Sequence, residues 1–236
     1  MRYSRVVVKL SGEALAGTRG WGVDPAALSA LAAEVLAVHE AGVQIAVVVG
    51  GGNYFRGREA NDWAIGRPEA DNIGMLGTVM NALMLRGVLG THSDAPVRVM
   101  TAVPIPEVAE PFIRLRAIRH LERGRIVLLA GGIGQPYVTT DYPAVQRALE
   151  LSADALLVGK RAVDGVYDRD PNVDAQARRF DELSYDQAIR DDIQVMDQSA
   201  FVLAKEHGLT MHVFDVAGQG CMADICAGAD VGTLVR

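Results

Sequence analysis

Three glycine-bearing segments in this chain each follow a short apolar run. They are Lys9-Leu10-Ser11-Gly12-Glu13, then Gly50-Gly51-Gly52-Asn53-Tyr54-Phe55-Arg56-Gly57, and Gly131-Gly132-Ile133-Gly134-Gln135-Pro136 leading to Thr139-Thr140-Asp141. One glycine cluster says little, because turns use glycine everywhere. Several clusters at equivalent strand ends are harder to explain away, since bare backbone N–H groups followed by a helix N-terminus make an anion site. Cations stand beside them. Lys9 closes a buried strand, Arg56 follows the triple glycine, and Lys160 closes a later apolar run. A lysine at a buried strand end is costly without an anion, although it could also snorkel or pair with a carboxylate. Phosphoryl transfer needs positioning and charge neutralisation more than covalent chemistry, so two or three cations with Mg2+ would suffice.

The common phosphate signatures are missing. There is no G-x-x-x-x-G-K-[ST] and no G-x-G-x-x-G after the first strand, so neither a P-loop nor a dinucleotide-binding unit is supported. No HRD or DFG element is present, which removes protein-kinase chemistry. Cys221 and Cys226 match neither a disulfide framework nor a zinc pair, and read as structural thiols. The five histidines are scattered and carry no assigned role.

Elements that could position these residues alternate along the chain. Arg5 to Leu10, Gln44 to Val49, Val97 to Thr101, Arg125 to Leu129 and Ala155 to Val158 read as strands, being short, apolar and rich in branched residues. Helices are expected from Pro25 to Ala41 behind an Asp24 cap, from Asn72 to Leu89 behind Asp71, from Ile113 to Arg123, from Asp141 through Leu151, and after Asp197. Further strands are expected near Met211 to Phe214 and Thr233 to Val235. Capping by itself would explain Asp71, Asp141 and Asp197. Met75, Met80 and Met84 read as helix core. The alternation predicts an α/β fold with a mostly parallel open sheet and helices on both faces, a three-layer sandwich. Ligands in such folds collect outside the carboxyl ends of the strands. The longest irregular piece, Val163 to Leu183, either divides two lobes or is a loop inside one domain.

Bulk properties agree. The chain has 236 residues, half of them hydrophobic, and a formal net charge of −6. That balance argues against nucleic-acid binding, which favours a basic field, but permits a small phosphorylated ligand. Met1 leads straight into a strand without a signal-peptide pattern, and no apolar run approaches the ~18 residues that span a bilayer. The expectation is a cytoplasmic protein with no membrane partner.

KLSGEAL (Lys9 to Leu15), GGGNYFRG (Gly50 to Gly57) and DNIGMLGTVMNAL (Asp71 to Leu83) resemble the bacterial UMP kinases of the amino-acid-kinase superfamily. So do YVTTD (Tyr137 to Asp141), VDGVYDRDP (Val163 to Pro171) and QVMDQSAF (Gln194 to Phe201). The resemblance runs from the first strand to the closing GTLV. It implies one amino-acid-kinase-like domain over 1–236, with an acceptor and oligomerisation lobe to about residue 160 and an ATP lobe beyond. It implies transfer of the γ-phosphoryl group from Mg·ATP to UMP. Carried over by position, Lys9, Leu10, Ser11, Gly12, Gly52, Arg56, Lys160, Tyr167 and Asp170 would meet ATP. Gly51, Asp71 and the run Ile133, Gly134, Gln135, Pro136, Tyr137, Val138, Thr139 and Thr140 would meet UMP. Lys9, Arg56, Asp141 and Asp197 would carry the chemistry. No protein metal site is implied beyond the Mg2+ that ATP brings. The family is typically homohexameric, and many members respond to GTP as activator and UTP as inhibitor. The segment Gly17, Thr18, Arg19, Gly20, Trp21 and Gly22 resembles a stretch linked to the GTP effector, or is a plain glycine-rich loop.

The chain departs from the common family pattern in two places. The loop usually written G-T-G-N-P reads Gly132-Ile133-Gly134-Gln135-Pro136, which removes a hydroxyl and lengthens an amide. After Lys160 stands Arg161-Ala162, where an asparagine is often found near the adenine site. Rival readings are a sister kinase acting on an amino-acid carboxylate, which would not need Asp71 to hold a ribose, and a non-catalytic nucleotide binder, against which Lys9, Asp141 and Asp197 argue together. Tyr167 has ordinary packing as its alternative.

Overall fold

The computed structural model describes residues 1–55, 63–171, 173–174 and 176–236. Arg56 and Gly57 of the triple-glycine motif lie outside them.

The elements in chain order are β1 (Arg5–Leu10), α1 (Gly12–Ala16), a single 3-10 turn (Gly17–Arg19), α2 (Pro25–Glu40), β2 (Gln44–Val49) and α3 (Arg67–His92). Then come β3 (Val97–Thr101), β4 (Glu110–Pro111), α4 (Arg114–Glu122), β5 (Ile126–Ala130), α5 (Asp141–Glu150) and β6 (Ala155–Lys160). The chain closes with β7 (Glu182–Leu183), α6 (Tyr185–Arg190), α7 (Gln198–Glu206), β8 (Thr210–Asp215), α8 (Cys221–Ala227) and β9 (Thr233–Val235). The described strands form one sheet in the order β4-β3-β5-β2-β1-β6-β8-β9-β7, parallel except where β9 runs against β8. The chain winds outward from β1 in both directions, so the carboxyl end of β1 lies at a reversal of strand order, where open α/β sheets form their crevice.

Side-chain alternation then decides which residue faces which layer. Val6, Val8 and Leu10 join one core cluster with residues of α2, α3 and α8, while Val7 joins the other with residues of α4, α5, α6 and α7. Lys9 shares the parity of Val7 and therefore turns toward the α5 layer. Parallel pairing on both sides sets it opposite Val48 of β2 and Val158 of β6.

Most predicted elements form where expected, with local corrections. Asp24 caps α2 by accepting from Ala26 N at 2.9 Å, with Pro25 in the first turn. α3 starts earlier than predicted, behind Gly66 with proline in its first turn, so Asp71 is an interior helical residue and not a cap. α5 is preceded by Thr140, and Asp141 is its first residue. Asp197 does precede α7, but its side chain makes no capping bond. The methionine reading is also corrected. Met80 and Met84 are 48% and 44% exposed, because α3 turns Gly77, Thr78, Val79, Asn81 and Ala82 inward. α3 is long and apolar enough to cross a membrane by length and composition. The expectation of no such stretch overlooked it because Gly, Thr and Asn interrupt any continuous apolar run. Its inner face packs in the first core cluster through Val79, Ala82, Leu85 and Leu89.

Short elements the sequence reading did not specify fill the gaps. Ser11 caps α1, accepting from Ala14 N at 3.2 Å, and Ser184 caps α6. The start of α8 is held from a distance: the Glu34 carboxylate of α2 accepts from Gly220 N and from Met222 N, the latter at 3.2 Å.

Candidate functional site

The sheet brings the glycine segments together backbone against backbone. Gly50 N donates to Leu10 O at 2.8 Å. A Cβ on Gly12 would lie 2.6 Å from the Asn53 amide oxygen and 2.7 Å from Gly52 N. A Cβ on Gly51 would stand 2.3 Å from Gly74 O of α3. Glycine is required at these two positions because neighbouring backbone occupies the space of a side chain. A buried pair holds the arrangement: Asn53 Nδ2 donates to Gly22 O at 2.7 Å, and Asn81 Nδ2 donates to Gly50 O and to Asn53 Oδ1, both at 2.7 Å. The Gly17–Gly22 segment is thereby tied to the triple glycine. Within it Trp21 is 70% exposed and meets Tyr54 edge-on at 6.2 Å.

The loop after β5 is braced in several places. Gly131 N donates to Thr78 Oγ1 at 2.7 Å. Gly131 and Gly134 have φ of +74° and +76°, and a Cβ on Gly134 would press on Ala102 O at 3.2 Å. Tyr137 N donates to Asp71 Oδ2 at 2.7 Å, while Arg67 Nε reaches both Asp71 oxygens at 2.8 Å. Arg67 also lies over the Tyr137 ring, 5.7 Å from its centroid. Between this loop, α3 and the glycine segments is a cavity of about 390 Å3, lined among others by Glu13, Gly51, Gly52, Asp71, Ile133 and Thr140.

A second cavity of about 500 Å3 opens beyond β6. Lys160, Tyr167 and Asp170 line it, together with the 191–195 segment. Tyr167 donates its hydroxyl to Asp164 Oδ1 at 2.7 Å.

The charged group is bordered by residues of both cavities: Lys160 lines the larger, and Thr139 and Thr140, directly before Asp141, line the smaller. Lys9 is 5% exposed, and its Nζ lies 2.8 Å from Asp141 Oδ1. Asp197 N donates to Asp141 Oδ2 at 3.3 Å, and Thr139 Oγ1 donates to Asp197 Oδ2 at 2.5 Å. Lys160 Nζ donates to Val195 O. Burial would raise the Asp141 pKa, but the charges of Lys9 and Lys160, together with hydrogen bonds from Lys9 and the Asp197 N–H, outweigh it and hold the carboxyl below its ordinary value. Burial lowers the Lys160 pKa, the neighbouring Lys9 charge lowers it further, and Asp141, Glu13 and Asp197 oppose both. Two ammonium groups that repel each other at a cavity edge favour a polyanionic ligand, which relieves the repulsion.

The carboxylates Asp71, Asp141 and Asp197 are thus engaged across the site, not in capping helices. Gly134, Pro136 and Tyr137 belong to the braced loop without lining its cavity, and Tyr137 is 66% exposed. The Leu10 side chain is buried in the core, and Ser11 is a helix cap. Arg56 lies outside the described residues. Sequence reasoning missed Glu13, although it stands in a quoted motif. It also missed Arg67, legible as the i−4 partner of Asp71, and Thr78 and Asn81, legible as polar residues on the inner stripe of an apolar helix. Among the described residues, no cluster of three or more His, Cys, Asp and Glu side chains could hold a metal by itself. Such oxygen donors suit a hard divalent cation that takes its remaining ligands from phosphate and water.

Residues 4–215 match the model of the Amino acid kinase family. A uridylate kinase of Frankia alni is 58% identical over 234 residues, covering 99% of this chain and 91% of the relative. A uridylate kinase of Limosilactobacillus reuteri is 48% identical over 236 residues, covering 100% and 98%. Among solved structures, a UMP kinase from Bacillus anthracis superposes with a TM-score of 0.97 at 50% identity, covering 100% of this chain and 97% of that one.

Proposed function

The chain belongs to the amino acid kinase family, among the uridylate kinases, and from that premise we propose that it transfers the γ-phosphoryl group of Mg·ATP to UMP, giving UDP and ADP. The observation that carries this reading is the convergence of Lys9, Lys160, Asp141 and Asp197 beside residues that line two cavities of nucleotide-binding dimensions.

In this reading ATP occupies the cavity lined by Lys160, Tyr167 and Asp170, with its phosphates reaching Lys9, Ser11, Gly12, Gly52 and Arg56. UMP occupies the cavity closed by Gly51, Asp71 and residues 133–140. The acceptor phosphate is already a nucleophile at neutral pH, so no general base is needed. Lys9 and Lys160 neutralise charge that spreads over the transferred group. Asp141 orients Lys9 through the 2.8 Å ion pair, and Thr139 holds Asp197. Asp197 and Asp141 would face Mg2+, which supplies charge stabilisation on the phosphoryl oxygens when bound. Asp71 would exchange its bonds to Arg67 and Tyr137 N for the ribose hydroxyls of UMP. The acceptor side belongs to the N-terminal part of the chain, to about residue 160, which also reaches the ATP phosphates, and the rest of the ATP side belongs to the remainder.

An exposed apolar stripe on α3, formed by Ile73, Leu76, Met80 and Met84, supports assembly into the homohexamer of the family. GTP activation and UTP inhibition would reach the phosphate loop through the Gly22–Asn53 link. Nucleotide metabolism of this kind places the protein in the cytoplasm.

The test is ADP release from Mg·ATP with UMP, CMP, dCMP, AMP, GMP, aspartate, glutamate and N-acetylglutamate offered separately, with and without GTP. Turnover with UMP well above every other acceptor is expected. Turnover with an amino acid and none with UMP would overturn the assignment.

A further inference from the structure

Arg147 stands near the end of α5, the helix that Asp141 begins, and lines neither cavity. It is 6% exposed. Its Nη1 donates to Glu150 Oε2 at 2.5 Å, and its Nη2 donates to the carbonyl of Gly132 at 3.2 Å. The guanidinium carbon lies 3.7 Å from the centroid of the Phe112 ring. Phe112 is itself held by its N–H donating to Thr101 O at 2.9 Å. Burying a charged side chain is costly unless its donors and charge are engaged. Here the engagement joins α5, the segment after β4 and the loop after β5.

The Gly132 carbonyl belongs to a peptide whose two residues, Gly132 and Ile133, both line the smaller cavity. That peptide is trans. A trans peptide points its C=O and the following N–H in opposite directions. Holding the Gly132 oxygen on Arg147 therefore directs the Ile133 N–H away from Arg147. Gly131 and Gly132 have φ of +74° and +55°. Gly134 N donates to Gly131 O at 2.8 Å, closing a turn with Gly132 and Ile133 at its centre, and Arg147 adds a bond to that central peptide from outside the turn.

We propose that Arg147 is a positioning residue for the acceptor nucleotide: it clamps the Gly132–Ile133 peptide so that the Ile133 N–H is presented as a donor to an oxygen of bound UMP. This rests on the reading of residues 133–140 as the acceptor loop. Phe112 acts as the platform that keeps the guanidinium in plane.

The experiment measures kcat and both KM values for the wild type, Arg147→Met, Arg147→Lys and Phe112→Leu, with melting curves taken with and without saturating UMP. Losing a charge-assisted bond that aligns a donor should raise the UMP KM about tenfold in Arg147→Met, with the ATP KM within about twofold. Arg147→Lys retains one donor and should recover part of that loss. The stabilisation of the melting curve by UMP should shrink in Arg147→Met at matched UMP concentration. A parallel rise in both KM values, or no change in either, would make Arg147 a plain structural brace and overturn the proposal. If Arg147→Met does not fold, Phe112→Leu decides: a UMP KM raised about threefold with the ATP KM unmoved supports the clamp, and an unmoved UMP KM refutes it. A wild type that turns over ATP without using UMP would refute the acceptor reading itself, an outcome separate from any behaviour of the variants.

Discussion

Replacing Asp141 by Asn removes one charge from the centre of the site while keeping its shape. In the wild type the carboxylate sits 2.8 Å from Lys9 Nζ, with side-chain exposures of 14% and 6%. At that separation an effective dielectric of about 20 gives roughly 6 kcal/mol of gross attraction. Desolvation cancels about half, and stranding one partner of a buried pair typically costs about 3 kcal/mol. With an unfolding entropy of about 0.5 kcal/mol/K for a chain of this length, Asp141→Asn should melt about 6 °C lower at pH 7. The pH dependence has a definite sign. Burial and the Lys9 charge hold the folded pKa of Lys160 below 10.5, and the Asp141 charge opposes them. In the variant that pKa falls further. As pH rises through the lowered value toward 10.5, Lys160 deprotonates and its attraction to Asp141 ceases to matter. The melting difference should therefore be smaller at pH 9.5 than at pH 7. Activity should fall at least about a hundredfold, because Lys9 loses the contact that orients it. Differential scanning calorimetry at the two pH values, with single-turnover rates, checks both effects. A variant that melts like the wild type at pH 7 while keeping its turnover would refute the electrostatic account of the site.

Asp71→Ala should raise the UMP KM by more than about tenfold and leave the ATP KM nearly unchanged, since the carboxylate faces only the smaller cavity; equal losses for both substrates in steady-state kinetics would make it structural. Glu34→Ala removes the acceptor for Gly220 N and Met222 N and should cost about 2 kcal/mol in urea unfolding, with substrate KM values unaffected. His212 is buried against Tyr3, with its pKa pushed down to about 4 by burial and the Arg2 charge. Its folded pKa lies below the unfolded value, so stability should fall as pH drops from about 6.5 toward 4, by about 2 kcal/mol from this group after discounting solvent screening. Chemical unfolding of the wild type and His212→Gln across that range should show a smaller acid loss in the variant.

Local chemistry made much of this protein readable from residues alone. RVVVKL and QIAVVV can be little other than buried parallel strands, and Asp24-Pro25 announces a helix start because both cap and ring act within one turn. Lys9 could be picked out because a cation at the end of an apolar strand has few inexpensive explanations. Asp71, Asp141 and Asp197 could be named from motif resemblance, but their side-chain directions could not. Each was equally a helix cap, and only the packing of α3, α5 and α7 turned them toward Tyr137 N, Lys9 and Thr139. The methionines of α3 show the same divide. Periodicity marks an apolar stripe, but the close approach of Gly51 to Gly74 and Thr78 decides that another stripe faces the sheet. Arg147 carries no sequence signal, because its partners Gly132 and Phe112 are remote in the chain. Composition and spacing determined the longer elements, the layer order and the phosphate chemistry, since these depend on neighbours within a few residues. Tertiary structure alone decided which charges meet and which backbone groups are clamped, because those contacts exist only once the sheet has joined distant strand ends.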